Sequence, residues 1–294
     1  MPVYNSGAKL RNSIQSVLNQ EGNGTLFDIE MLVIDDCSTD NSREILREMG
    51  IKYLVNETNS GGPNRGRNRG LKAATGDYIC FIDHDDIWHP RKVAEQFNVA
   101  KEAPVITCGH IITEPETGKT RQVGGATREI LIYNTNETFL ARLARLNSGQ
   151  NTYMSTIMIG SSLREILFEE HFGCIDFDWL LRIFRNNRSV QVDQPLVTRI
   201  VEQKNLSLKD DYRIKEYNYA LTTLEKYRSV YPSESRRGIK RTNGTRARYH
   251  YMTGDMHSAR RFFLRSEIGL KTMFYLVTSF AGSKWVKRRF HIFG

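Results

Sequence analysis

The sequence predicts an α/β protein: a mostly parallel sheet flanked by helices, followed by a helical extension at the C-terminus. Three observations carry this. Short apolar runs alternate with helix-period segments through the first 100 residues. Two of those runs stop abruptly at acids, Asp35-Asp36 and Asp83-His84-Asp85-Asp86, and in parallel sheets ligands bind beyond the carboxyl ends of the strands. From residue 211 onward the pattern is helical, and the charge changes with it. Residues 236–294 hold 14 Lys/Arg against 2 Asp/Glu, whereas residues 1–235 hold 28 against 31. The expected division is a main domain over 1–210, with halves at 1–100 and 101–210, and a basic helical region over 211–294.

Bulk properties narrow the class. With 39% hydrophobic and 26% charged residues among 294, the chain has an ordinary globular composition and can bury a substantial core. The N-terminus lacks the charged-then-apolar pattern of a signal peptide. No run of about 18 apolar residues offers a membrane span. Cys37, Cys80, Cys108 and Cys174 form no CxxC pair, so they read as free thiols in a reducing cytoplasm.

Taken in order, residues 6–20 place Leu10, Ile14, Val17 and Leu18 at helical spacing. "IEMLVIDD" is a buried strand ending in acids. "STDNSREILREMG" is a helix with Ser38 or Thr39 as N-cap and Gly50 as its stop. "IKYLV" is a strand, "NSGGPNRGRNRGLKAATG" a Gly-rich turn leading into a short helix, and "DYICFI" a further strand. Pro90 opens a helix to about Ala100, because proline suits the first helical position. Beyond it, "CGHIITEPETGKTRQVGG" reads as strands joined at Glu116-Thr117-Gly118. "NETFLARLARL" reads as a helix, "TYMSTIMIG" as a strand, and "FDWLLRIFRN" as a helix beginning beside Asp176 and Asp178. The opening "MPVYNSG" leaves the first strand almost no length before Pro2, where a parallel sheet wants four or five apolar residues. The expectation is that the native N-terminus is missing or the start codon misassigned.

Three carboxylates within four residues repel one another unless a cation or a substrate holds them. "PVYN", "SIQSVLNQ", "VIDDCSTDNS", "NRGRNRGLKAATGDYICFIDHDDIWHP" and "IDFDWLLR" follow in this order. Together they resemble the family 2 glycosyltransferases of the nucleotide-sugar-binding GT-A (Rossmann-like) type. The resemblance is dense over 1–100 and loose over 101–205. It implies a GT-A catalytic domain over 1–210, with donor and acceptor halves. The donor is a nucleotide-diphosphate sugar, taken as a UDP-sugar, and the acceptor a glycan or a lipid-linked saccharide in cell-surface polysaccharide synthesis. By the family pattern Asp83 bonds the ribose and Asp85 ligates the metal, while Asp86 orients the loop or caps the next turn. Oxygen ligands select a hard cation, Mn²⁺ or Mg²⁺, able to neutralise a diphosphate leaving group. Asp36 accepts the imino N–H of the base, flanked by Pro2 and Tyr4, with Asn5 shaping the turn. Arg67 reaches the nucleotide. For Asp35, base reading and capping of the following turn stand equally.

Direct displacement with inversion requires a base on the acceptor hydroxyl. The resemblance gives that role to Asp176, supported by Asp178; the plain alternative for Asp176 is a helix N-cap. Trp179 packs on the acceptor sugar or in the core. Two departures stand out: Ile175 replaces a family Glu, and "VTRIVEQKNLS" lacks a family histidine, leaving Glu202 or Gln203 nearest. The absence of QxxRW implies addition of a single sugar. His84 and His89 suggest zinc in isolation. The family pattern turns the intervening residue away, and His89, which precedes Pro90, lines the pocket or meets solvent.

The C-terminal stretch sets Trp285, Phe290 and Phe293 beside Lys284, Lys287, Arg288 and Arg289. Two readings are open: a peripheral contact with the inner face of the cell membrane, or packing on the catalytic domain. Two other function classes compete. One is a nucleic-acid-binding protein using the Arg/Gly run, which lacks the interleaved aromatics such binding wants. The other is an inactive sugar-nucleotide-binding relative.

Overall fold

The computed structural model describes residues 1–125, 127–146, 148–171, 176–202 and 210–283. The chain divides into two compact units: Met1–Phe139 with Gly149–Tyr212, and Leu140–Ser148 with Arg213–Gly294. Residues 140–148, which the sequence assigned to the main domain, therefore group with the C-terminal helices.

In the first unit, strands β1 (Pro2–Val3), β2 (Val33–Asp35) and β3 (Tyr53–Val55) form an all-parallel sheet. Pro2 lies opposite Ile34, and Val33 opposite Tyr53. Helices α1 (Lys9–Leu18) and α2 (Ser42–Glu48) make the crossovers. α1 buries Leu10, Ser13, Ile14 and Val17, the three-to-four spacing of one helical face. Leu18, expected on that face, is exposed, because it sits about 100° further round than Val17. Leu10 and Ile14 meet Val3, Val33, Ile45 and Leu46 in one core cluster.

Helix α3 (Asn64–Ala73) leads into β4 (Tyr78–Cys80), which enters a second sheet with β5 (Ile87–Trp88), β6 (Val105–Glu114), β7 (Lys119–Val123), β8 (Ile130–Tyr133), β9 (Met158–Gly160) and β10 (Ser189–Ile200). Its order is β4-β9-β6-β10-β5, with β7 on β6 and β8 on β10. Only β6 and β10 pair in parallel here; the other pairings are antiparallel. The mostly parallel expectation thus describes the first sheet and the β6–β10 pair, and the second sheet is mixed. Short connections are the reason: Gly118, at φ +67°, turns β6 directly back into β7. Helices α4 (Lys92–Asn98) and α6 (Phe177–Phe184) complete the α/β layers, while α5 (Glu137–Leu143) begins here and has its residues 140–143 in the second unit. Val17, Ile82, Trp88, Ile106, Met158 and Val192 belong to a second core cluster.

β1 has two residues, and a cavity of about 670 Å³ lies beside it, walled by Ile34, Leu71, Ile79, Phe81 and Met158. Of the candidate site residues only Pro2 and Arg67 line it. Asp83, Asp85 and Asp86 do not line it, so this cavity is not the acid site.

The second unit contains most of α7 (Asp210–Lys226), then α8 (Pro232–Thr253), α9 (Met256–Phe263) and α10 (Leu270–Thr278). Gly254, at φ +98°, ends α8 in the left-handed conformation that glycine adopts without strain. Asp255 caps α9 by accepting the Ser258 N–H at 3.1 Å. Tyr251, Ala259, Phe263 and Tyr275 form the core. Among the described residues no helix is long and apolar enough to cross a membrane. The tail residues Lys284, Trp285, Lys287, Arg288, Arg289, Phe290 and Phe293 lie outside the described residues, as do Cys174, Ile175 and Gln203. Cys37, Cys80 and Cys108 are free.

Candidate active site

The acid loop follows β4 through buried Phe81 and Ile82. Asp86 turns inward and is fully buried. Its Oδ2 accepts the Tyr153 hydroxyl at 2.5 Å and the Ser155 hydroxyl in a still shorter bond. Its Oδ1 has no partner. Burial, with the Asp83 charge beside it, pushes the Asp86 carboxyl up to about 8. Ser155 Oγ also accepts the Asp83 N–H at 3.1 Å, and Ser13 bonds the His84 carbonyl at 2.9 Å. Asp86 is thus the inner anchor that fixes the turn carrying Asp83 and Asp85.

Asp83 accepts from Arg67 Nη2 at 2.7 Å. Burial alone would raise its carboxyl; the Arg67 guanidinium outweighs that and holds it below the usual range. Arg67 is itself held by α3. Its Nη1 reaches Asn64 Oδ1 at 3.3 Å, and its guanidinium lies 5.4 Å from the centre of the Phe168 ring. Asn68 clamps both backbone groups of Phe168, donating to its carbonyl at 2.9 Å and accepting its N–H at 2.7 Å. The "NRGRNRG" run is therefore a helix whose Asn64, Arg67 and Asn68 face inward.

Asp85 is half-buried, and no other described residue donates a hydrogen bond to its carboxylate. Burial pushes its carboxyl up; Asp83 adds to the shift while His84 and Lys9 oppose it. Lys9 pairs with Glu202 at 2.6 Å. Glu202, one of the two residues nearest the missing family histidine, thus brings a lysine to the edge of the acid loop. Arg199 of β10 lies 4.7 Å from the centre of the Tyr153 ring, and its charge is among those stabilising ionised Asp83. His110 stands beside Tyr153 and is lowered to about 4 by burial and then by Arg199 and Arg121.

No group of three or more His, Cys, Asp or Glu among the described residues is arranged to hold a metal ion. His89 is exposed and its Nδ1 accepts the Arg91 N–H at 3.2 Å. The described donor set does not fit zinc. It does fit a hard cation that takes one protein oxygen, from Asp85, and its remaining oxygens from a ligand. A cation there would also relieve the repulsion between Asp85 and Asp83.

On the β2 side, Asp36 Oδ1 accepts Asn56 Nδ2 at 2.5 Å. Its Oδ2 accepts the Ser60 N–H and the Ser60 hydroxyl, both at 2.9 Å, and Asn59 Nδ2 at 3.2 Å. Asp35 is fully buried, pairs with Arg43 at 2.7 Å and accepts the Ser38 N–H at 3.2 Å, so it caps that turn. Tyr4 is exposed, while Pro2 is buried under Gly66 of α3. Asn5 adopts φ +47°, and its Oδ1 accepts the Thr39 N–H at 2.8 Å.

Asp176 occupies the N-cap position of α6, yet its side chain makes no cap hydrogen bond. Asp178 is buried and accepts Arg182 Nε at 2.8 Å. Trp179 stacks on Phe168 at 4.2 Å, meets Phe81 edge-on and donates from Nε1 to the Ile166 carbonyl at 2.6 Å, which makes it a core residue and not a sugar platform. The same Phe168 faces Arg67, so one contact chain runs from α6 through Trp179, Phe168 and Arg67 to Asp83. Sequence reasoning missed Tyr153, Ser155, Arg199 and His110. They lie on strands or short turns, and no local pattern marks them.

Comparison with known proteins gives three findings. The profile of Glycosyl transferase family 2 matches residues 1–166. Curated relatives include the poly(ribitol-phosphate) beta-N-acetylglucosaminyltransferase TarP of Staphylococcus aureus, 40% identical over 106 residues, covering 35% of this chain and 32% of TarP. A GalNAc(5)-diNAcBac-PP-undecaprenol beta-1,3-glucosyltransferase of Campylobacter jejuni is 28% identical over 130 residues, covering 42% of this chain and 41% of that one. Matches thus span well under half of those relatives' lengths. Among solved structures, S. aureus TarS 1–349 in complex with UDP-GlcNAc covers 100% of this chain and 91% of its own, at TM-score 0.68 and 16% identity, which is a likeness of fold. Since the family profile spans 166 of its 294 residues, the chain is a member of glycosyl transferase family 2.

Proposed function

We propose that the chain transfers one sugar, with inversion, from a UDP-sugar to a hydroxyl of a glycan or lipid-linked acceptor in cell-surface polysaccharide synthesis. One observation carries the reading: the Asp85 carboxylate, to which no other described residue donates, stands beside an Asp83 already paired with Arg67. That leaves one acid for a cation and one for a neutral hydroxyl ligand. Asp83 bonds the ribose, Arg67 sets its charge, and Asp36 reads the base beside Tyr4 and Pro2, with Asn5 holding the turn. Bonded as it is to Asn56, Asn59 and Ser60, Asp36 is held rigid. Mn²⁺ or Mg²⁺ at Asp85 supplies charge neutralisation of the diphosphate.

Asp176 accepts the proton of the acceptor hydroxyl as that oxygen bonds the anomeric carbon. The bond from that carbon to the phosphate oxygen breaks, and UDP leaves with the electron pair. Asp178, locked to Arg182, holds the first turn of α6 in place. The poly(ribitol-phosphate) acceptor of TarP and the PP-undecaprenol acceptor of the Campylobacter enzyme support polymer and lipid-linked acceptors as the classes to try first. The nucleic-acid reading loses its main support in α3: Arg67 is committed to Asp83, and Arg69 donates to the Val55 carbonyl and Asn56 Oδ1, each at 2.7 Å.

The test is a screen of UDP-sugars for Mn²⁺-dependent hydrolysis and transfer. At least one sugar should turn over with Mn²⁺ and stop with EDTA. A folded sample inert to every nucleotide sugar would refute the reading.

A further inference from the structure

Helix α10 is amphipathic in the reverse sense. Its buried face is centred on Tyr275, which meets the Tyr251 ring edge-on at 4.9 Å and stacks on Phe263 at 5.7 Å. That side already docks the helix on its own unit. The opposite side is apolar and faces outward: Leu270 is 93% exposed and Val277 64%. With Met273 and Phe274, also exposed, they fall within an arc of about 100°. Phe280 at 73%, Ile268 at 77% and Leu264 at 72% extend the same kind of surface beyond both helix ends. Single exposed apolar residues are ordinary, but a cluster of this size within 17 residues marks an interaction surface.

Charge selects the partner. Residues 213–283 carry 14 Lys/Arg and 5 Asp/Glu. Arg261, Arg265 and Lys271, which flank and interleave the apolar residues in sequence, are exposed. The nearest acid, Glu267, is taken up by Arg237 at 3.0 Å and Arg241 at 2.7 Å. Arg260 lies 4.8 Å from the centre of the Phe280 ring and donates to the Ser279 carbonyl at 3.0 Å, fixing the aromatic at the far end. Two copies meeting through this face would bring like charges together. An anionic bilayer neutralises them while its acyl boundary takes the apolar arc, and a helix lying in the interface buries such a face by roughly 5–10 Å.

We propose that the Leu264–Phe280 surface seats the protein on an anionic lipid bilayer, with α10 lying in the interface. This surface is separate from residues 284–293 and does not depend on the transfer chemistry. The test is co-sedimentation of the full chain with vesicles of phosphatidylcholine containing phosphatidylglycerol, and with phosphatidylcholine alone. The expected result is binding to the anionic vesicles that falls with salt and is at least about tenfold weaker on the neutral ones. Leu270→Asp with Val277→Asp should weaken it at least about tenfold, and Arg261→Gln, Arg265→Gln and Lys271→Gln together should weaken it on anionic vesicles alone. Both variants should keep the wild-type melting temperature, since all five side chains are exposed. Anionic vesicle binding that is absent, or unchanged in the aspartate variant, overturns the proposal. So does a lipid-free dimer in analytical ultracentrifugation that the aspartate variant dissociates, which would assign the face to a second copy.

Discussion

Within four residues, Asp83, Asp85 and Asp86 occupy three environments. Asp83 is ionised against Arg67, Asp86 has its carboxyl pushed up by burial despite bonds from two hydroxyls, and Asp85 is half-buried with no bond from another described residue. Asp85→Ala should therefore abolish Mn²⁺-dependent binding of UDP by isothermal titration and leave the fold intact. Asp176→Asn should bind donor as wild type and lose transfer by roughly 10²–10⁴-fold, the usual worth of a general base. Wild-type turnover by Asp176→Asn would move the base elsewhere. The sequence marked these acids because acids crowded at strand ends need an explanation. The resemblance gave them unequal roles, but spacing alone could not show what holds Asp86, because Tyr153 and Ser155 lie 67 and 69 residues away.

Among the elements, α3 shows why part of the site was hidden. Asn64, Arg67, Asn68 and Leu71 share one buried face at helical spacing. The periodicity is in the sequence, but three of the four are polar, so a search for apolar stripes passes over them. The loop before β8 is a second case. Asp193 of β10 accepts from the Gly125 N–H at 2.6 Å, from the Thr127 N–H at 2.9 Å and from the Thr127 hydroxyl and the Gln191 amide, both at 2.8 Å. Burial opposes ionisation, but these bonds prevail and hold its carboxyl at about 2. A carboxyl lowered on folding contributes stability that is fully present above its unfolded value of 3.8 and is lost as pH falls toward 2. Urea unfolding of wild type and Asp193→Ala should differ by about 2 kcal/mol at pH 6, and the gap should narrow between pH 4 and 2. A gap constant across that window would show that the bonds do not depend on the charge.

For the whole molecule, donor binding should register as stability, because a ligand that binds only the folded state stabilises it by mass action. At a hundredfold excess over Kd the gain is about 2.7 kcal/mol, so UDP with Mn²⁺ should raise the melting temperature by about 5 °C. EDTA should cancel most of that rise, and UDP protection that survives chelation would count against a cation at Asp85. The order of motifs, the acids at strand ends and the basic helical region were set by the sequence alone, since they are matters of period, composition and spacing. Which sheet each strand joins, which acid is neutral and that Trp179 belongs to the core were decided only by the tertiary structure. Desolvation and Coulomb interaction act through space, and they depend on neighbours that the fold brings from distant parts of the chain.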